Sequence, residues 1–262
     1  MTARASHHAA AAAAAVEVRG VSKIYDGGVE ALNDIGLDFP EGQLTTLLGP
    51  SGCGKTTLLK IIAGLIAPTS GSVKVAGRKV TGPGPERAFV FQDFALLPWA
   101  TVLRNVAFGL ELRGTPREAR EATARSCIRE VGLTGFEQSY PHQLSGGMRQ
   151  RVGLARALAV DAAIILMDEP FSAVDEQTRR KFQEDLLVLL RDRGKTVIFV
   201  THSIEEAAYL SDQIALLSPR PGRVAKIVRP NVDHSRSPDE IRRDRGYLDT
   251  VDEIWGMLRQ YV

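Results

Sequence analysis

The spacing of apolar residues from Val16 onward changes character several times along the chain. VEVRGVSKIY (16–25) and ALNDIGLDF (31–39) alternate apolar with polar positions, as half-buried strands of an antiparallel sheet do. QLTTLLG (43–49) is more continuously apolar, and KTTLLKIIAGL (55–65) is apolar nearly all round. Together they predict a strand feeding a buried helix. SGSVKVAG (70–77) and RAFVFQ (87–92) predict two more short strands. From about Thr101 to Ala159 the pattern is helical. Within it Thr115-Pro116-Arg117-Glu118 reads as a capping box with proline at the first helical position. Strands return in AIILMDE (163–169), TVIFVTH (196–202) and QIALLS (213–218), separated by helices. The helix bearing Phe182, Leu186, Leu189 and Leu190 is expected to stop near Gly194, and Ser203 with Glu206 to cap the next.

Strands alternating with helices predict a mostly parallel core sheet. The expected fold class is therefore α/β: a mostly parallel core sheet, an N-terminal antiparallel β subdomain and an inserted α-helical subdomain. Residues 16–232 form the main domain, with the helical insertion at about 93–160. Residues 1–15, rich in alanine, read as a disordered leader, too weakly apolar for a secretory segment. Residues 233–262 read as a charged tail ending in a helix around Tyr247–Leu258.

Composition narrows the function. The chain has 262 residues, 44% hydrophobic and 24% charged, with a formal net charge of +2, so nothing in the balance calls for nucleic acid as a partner. No apolar run approaches the roughly 20 residues of a transmembrane helix, so any membrane span must come from other chains. Cys53 and Cys127 stand far apart in no metal-ligand spacing, which fits a reducing compartment.

Gly49-Pro50-Ser51-Gly52-Cys53-Gly54-Lys55-Thr56 fits G-x-x-x-x-G-K-[ST] between a predicted strand and a predicted helix. Its glycines let backbone N–H groups turn inward as an anion nest, and the helix N-terminus adds partial positive charge. Lys55 then reaches the terminal phosphates of a nucleoside triphosphate, with Thr57 next in the loop, and Thr56 offers its hydroxyl to Mg²⁺. Cys53 reads as a passive small side chain; the alternative is a thiol activated by the helix N-terminus. IILMDE (164–169) is an apolar strand ending in two carboxylates. Asp168 suits the magnesium shell, and Glu169, pointing elsewhere by strand alternation, suits the general base.

Many nucleotide hydrolases share these parts. Leu144-Ser145-Gly146-Gly147-Met148, ahead of the helix RQRVGLARAL (149–158), resembles the signature of ATP-binding cassette (ABC) transporter ATPases. The resemblance runs over nearly the whole chain from Val16. It implies that Tyr25 stacks on adenine, that Gln92 is the glutamine sensing γ-phosphate and magnesium, and that Ser172-Ala173-Val174-Asp175 is the D-loop. His202 takes the place of the switch histidine. The same resemblance implies ATP and Mg²⁺ as cofactors and a head-to-tail homodimer, each ATP held between Lys55 of one chain and Ser145, Gly146 and Gly147 of the other. It further implies permease subunits, a solute-binding protein acting through them, and a peripheral place on the cytoplasmic face of the membrane.

LLPWATVLRNVAFGLELRG (96–114), LSGGMRQR (144–151) and LSPRPGRV (217–224) look most like the nitrate, sulfonate and taurine importer group. The apolar stretch Phe94–Trp99 suits either core packing or a groove for a short permease helix. The alternative class is a cassette ATPase acting with nucleic acid or ribosomes.

Overall fold

The structure, a computed structural model, describes residues 13–172 and 176–261. Most of the expected leader lies outside these residues, as does Asp175. The first strand begins at Ala14, inside the stretch read as leader: β1 (Ala14–Tyr25) pairs with β2 (Val29–Pro40) and with β4 (Ser70–Val75), which pairs with β5 (Arg78–Lys79). All three pairings are antiparallel, in the order β2-β1-β4-β5.

The second sheet runs β10 (Val224–Val228), β9 (Gln213–Leu217), β3 (Leu44–Leu48), β8 (Thr196–Val200), β7 (Ile164–Asp168), β6 (Arg87–Val90). Every pairing in it is parallel except that of β10 with β9. All residues of β7 and β8 are buried, which is why these runs are apolar at both parities. Ile164, Leu166, Ile198 and Val200 face a core shared with the antiparallel sheet and α1 (Lys55–Ala63). Ile165, Met167, Val197 and Phe199 face the opposite core, which continues into the helical insertion. That insertion contains α2 (Val102–Leu112), α3 (Arg117–Glu130), a short 3₁₀ turn at Pro141–Gln143 and α4 (Gly146–Ala159). The expected fold class is thus present: an antiparallel β subdomain, a mostly parallel sheet and a helical subdomain.

Capping differs at one point from expectation. Thr115 does not open α3; Pro116 holds the N-cap position, and no side chain bonds there. The Thr115 backbone N–H instead donates to Leu110 O at 3.0 Å, while Gly114 N–H donates to Glu111 O at 3.0 Å. Those two bonds are a Schellman closure of α2, and they consume the residue that a capping box would need. Gly194 closes α5 (Glu176–Asp192) in the same way, its N–H donating to Arg191 O at 2.9 Å. Ser203 does cap α6 (Ile204–Leu210), accepting from Glu206 N, but the Glu206 carboxylate turns inward to Thr201 and Gln183.

Beyond β9, strand β10 and helix α7 (Pro238–Arg243) were not anticipated, and α8 spans Arg245–Leu258. Tyr247, Thr250 and Ile254 form the buried face of α8, and Ile254 packs with Ile204, Ala207 and Val228. His234 ties this tail to the main body. Its ring suits one neutral tautomer, Nε2–H donating to Tyr209 O at 2.7 Å and Nδ1 accepting from Arg191 at 2.9 Å. Burial holds the His234 imidazole below its ordinary range, with the Arg191 charge adding to the effect against an opposing bond to Tyr209. A depressed folded-state value means that the contribution to stability is present above the unfolded value of about 6.5 and is lost as pH falls below it. Chemical denaturation at pH 7.5 and 5.5 is therefore expected to show an acid-side loss that His234→Gln reduces. Equal loss in both proteins would contradict this role.

Candidate active site

The parallel strands end on one edge, where open α/β sheets bind ligands. The loop after β3 carries Gly49–Gly54, Gln92 follows β6, Asp168 and Glu169 end β7, and His202 follows β8. Gly54 starts α1 at φ +99°, a left-handed conformation in which a side chain would be strained. It also lies so close to β2 that a Cβ would meet Leu32 at 2.6 Å.

A cavity of about 290 Å³ lies over this loop, lined by Tyr25, Ser51, Gly52, Gly54, Lys55, Thr56, Thr57 and Glu169, with Val29, Ala31 and Arg220. Lys55 is buried, and its ammonium donates to Gly49 O at 2.7 Å and Pro50 O at 3.0 Å. Tyr25 stands on the rim, 40% exposed, its hydroxyl 3.2 Å from Thr57 Oγ1. Cys53 is fully buried, and burial pushes its thiol up despite the nearby Lys55 charge. The passive reading of Cys53 fits this; an activated thiol does not.

Thr56 Oγ1 donates to Asp168 Oδ1 at 2.8 Å. Burial pushes the Asp168 carboxyl up, the Thr56 hydrogen bond opposes that, and the Glu169 charge adds to the rise. Two hard oxygen donors side by side suit Mg²⁺, which takes few protein ligands and completes its shell with water and phosphate oxygens.

Glu169 diverges from Asp168 for a reason other than strand alternation. β7 ends at Asp168, and Glu169 has φ +44°, a left-handed turn that costs energy in a residue with a side chain. Its N–H donates to Val200 O at 3.0 Å, and Ser172 N–H donates to its carbonyl at 3.2 Å. The turn brings the Glu169 carboxylate within 3.4 Å of His202 Nδ1. His202 itself is placed by its neighbours: Ser203 N–H donates to Thr201 Oγ1 at 3.1 Å, and Thr201 donates to the buried Glu206. Burial pushes the Glu206 carboxyl up, partly offset by the Thr201 bond.

The structure does not gather every expected residue. Gln92 is exposed in the turn after β6 and does not line the cavity. The following Phe94 and Ala95 both have positive φ, and Arg156 of α4 donates to both carbonyls, at 2.8 and 2.7 Å. Ser145, Gly146 and Gly147 lie at the start of α4, with Ser145 Oγ accepting from Met148 N at 3.3 Å, and they too lie outside the cavity. Arg220 lines the cavity with no sequence expectation of a chemical role.

A phosphate loop at the end of β3, with the acidic pair at the end of β7, defines a P-loop nucleoside triphosphatase. The family model described as ABC transporter matches residues 32–172. The chain is 51% identical over 250 residues to the uncharacterized ABC transporter ATP-binding protein MJ0412 of Methanocaldococcus jannaschii, covering 94% of this chain and 92% of that one. It is 52% identical over 237 residues to the taurine import ATP-binding protein TauB of Yersinia pseudotuberculosis, covering 89% and 93%. Among solved structures, the dimeric ATP-binding cassette MJ0796 bound to ADP and Pi matches with a TM-score of 0.72 and 36% identity, covering 82% of this chain and 98% of that one. The chain belongs to the ABC transporter family and is an ATPase.

Proposed function

We propose that the chain powers an importer of a small anionic or zwitterionic solute of the taurine, sulfonate or nitrate class. The observation that carries this reading is its 52% identity over 89% of its length to a taurine import ATP-binding protein. No helix among the described residues is long and apolar enough to cross a membrane, so permease subunits supply the path, and a solute-binding protein delivers the cargo to them. The chain acts at the cytoplasmic face through residues 16–232, with the helical insertion at about 93–160 as the coupling arm and residues 233–262 as a docked tail.

In this reading ATP lies in the cavity above the phosphate loop. Tyr25 holds the base, Lys55 and the loop N–H groups hold phosphate, and Thr56 and Asp168 hold Mg²⁺, which neutralises phosphate charge when bound. Glu169 takes a proton from the attacking water, and His202 beside it orients the terminal phosphate. Ser145, Gly146 and Gly147 lie outside this chain's cavity and complete the partner's site across a two-fold interface, which closes on ATP and opens after hydrolysis. The related MJ0796 cassette has been solved as a dimer. Gln92 senses the nucleotide from the root of the coupling arm.

The docking face is built in advance. Asn105 is fully buried and accepts from Leu97 N at 2.8 Å while donating to Leu97 O, Ala100 O and Thr101 O. These bonds fix the loop on which Phe94 is buried and Trp99 is 71% exposed. A permease helix seats against Trp99. Purification of the tagged chain from detergent-solubilised membranes of its host is expected to bring down a permease, and Trp99→Glu to release it. Recovery with ribosomes or DNA would overturn the transporter reading.

A further inference from the structure

The turn between β9 and β10, within the LSPRPGRV stretch, reaches the nucleotide cavity from outside the phosphate loop and the acidic pair. It is held against the phosphate loop and β2 by backbone contacts. Gly222 N–H donates to Ala31 O at 3.0 Å, and Asn33 N–H donates to Gly222 O at 3.0 Å. At the base of the turn Ser218 N–H donates to Arg223 O at 2.9 Å and Arg223 N–H donates to Ser218 Oγ at 3.0 Å. The approach is close enough that a Cβ on Gly222 would lie 2.0 Å from the Cys53 carbonyl oxygen.

This turn carries Arg220. Its Nε donates to Gly52 O at 3.3 Å, which fixes one edge of the guanidinium on the phosphate loop. Its terminal nitrogens have no acceptor among the described residues, yet Arg220 lines the cavity with Lys55, Thr56 and Tyr25. Lys55 spends two donors on Gly49 and Pro50. A guanidinium anchored through Nε and open at both Nη atoms presents the forked donor set that binds phosphate oxygens in pairs.

We propose that Arg220 is a second cationic contact to the phosphate chain of the bound nucleotide, held in place by the Gly52 carbonyl. This rests on the reading that the cavity holds ATP. A charged contact of this kind supports roughly a ten-fold difference in affinity. The test is titration calorimetry of the full-length parental chain, Arg220→Ala and Arg220→Lys with Mg-ATP, Mg-ADP and AMP, alongside thermal unfolding of each ligand-free protein. The expected result for Arg220→Ala is about ten-fold weaker Mg-ATP binding, a smaller loss for Mg-ADP and a smaller one again for AMP, with partial recovery in Arg220→Lys. An equal loss across the three ligands would place the guanidinium on a group that AMP shares, the α-phosphate, ribose or base, and overturn a contact to the terminal phosphates. So would unchanged binding, or a loss matched by a lower unfolding temperature and the same for all ligands, which is the mark of a merely structural pin. If the parental chain itself does not bind Mg-ATP, the cavity reading falls and takes this inference with it. If the parental chain binds and Arg220→Ala binds as well, only the inference falls.

Discussion

Glu169→Gln is expected to hydrolyse ATP about 10²–10⁴-fold more slowly than the parental chain while still binding it. The substitution removes the basic carboxylate and leaves the phosphate loop, Thr56 and Asp168 unchanged. It should not unfold the protein. The structural bonds at this position come from the backbone, N–H to Val200 and carbonyl to Ser172, and glutamine keeps both. The left-handed φ costs glutamine about what it costs glutamate, since neither is glycine. Asp168→Asn should differ, weakening the oxygen pair with Thr56 and so the magnesium dependence of binding. Single-turnover assays with radiolabelled ATP separate the two. Parental turnover in Glu169→Gln would remove Glu169 from the general-base role.

The second large effect comes from mixing two inactive chains. Lys55→Ala is expected to lose turnover and also some stability, because Lys55 is buried and braces the loop through Gly49 and Pro50. Ser145→Arg is expected to lose turnover by putting a bulky cation at the start of α4, where Ser145 is exposed. In a mixed dimer, one site pairs the damaged loop with the damaged signature, and the other pairs an intact loop with an intact signature. Random pairing then restores about a quarter of the parental sites, all in mixed dimers. ATPase activity of the mixture, measured against each variant alone, reads this directly. No recovery with both chains folded would mean that Ser145 does not serve the partner's site.

The parts of the site that were legible in sequence are those in which chemistry and geometry are local. The phosphate loop needs only its own glycines, lysine and threonine between a strand and a helix. Asp168 and His202 each follow an apolar run, and parallel neighbours place both on one edge. Glu169 was legible as a residue but not in its direction, because a left-handed turn ends the strand one position earlier than alternation assumes. Thr115 misled for a similar reason: its N–H closes the preceding helix, and a capping pattern does not say which of two adjacent helices will use it. Nothing in the LSPRPGRV stretch marked Arg220 as a site residue, since its anchor, Gly52, is 168 positions away in sequence. β10 and α7 are short and polar enough that periodicity says little about them.

The transport cycle depends on ATP closing two copies of this chain around two shared sites. The most direct measurement is the molar mass of purified Glu169→Gln by size-exclusion chromatography with light scattering, in Mg-ATP and in Mg-ADP. The expected result is a dimer with ATP and a monomer with ADP, and reversion of the ATP dimer to monomer when Ser145→Arg is added to the same chain. A monomer in Mg-ATP, with nucleotide bound at full occupancy, would contradict the composite-site mechanism.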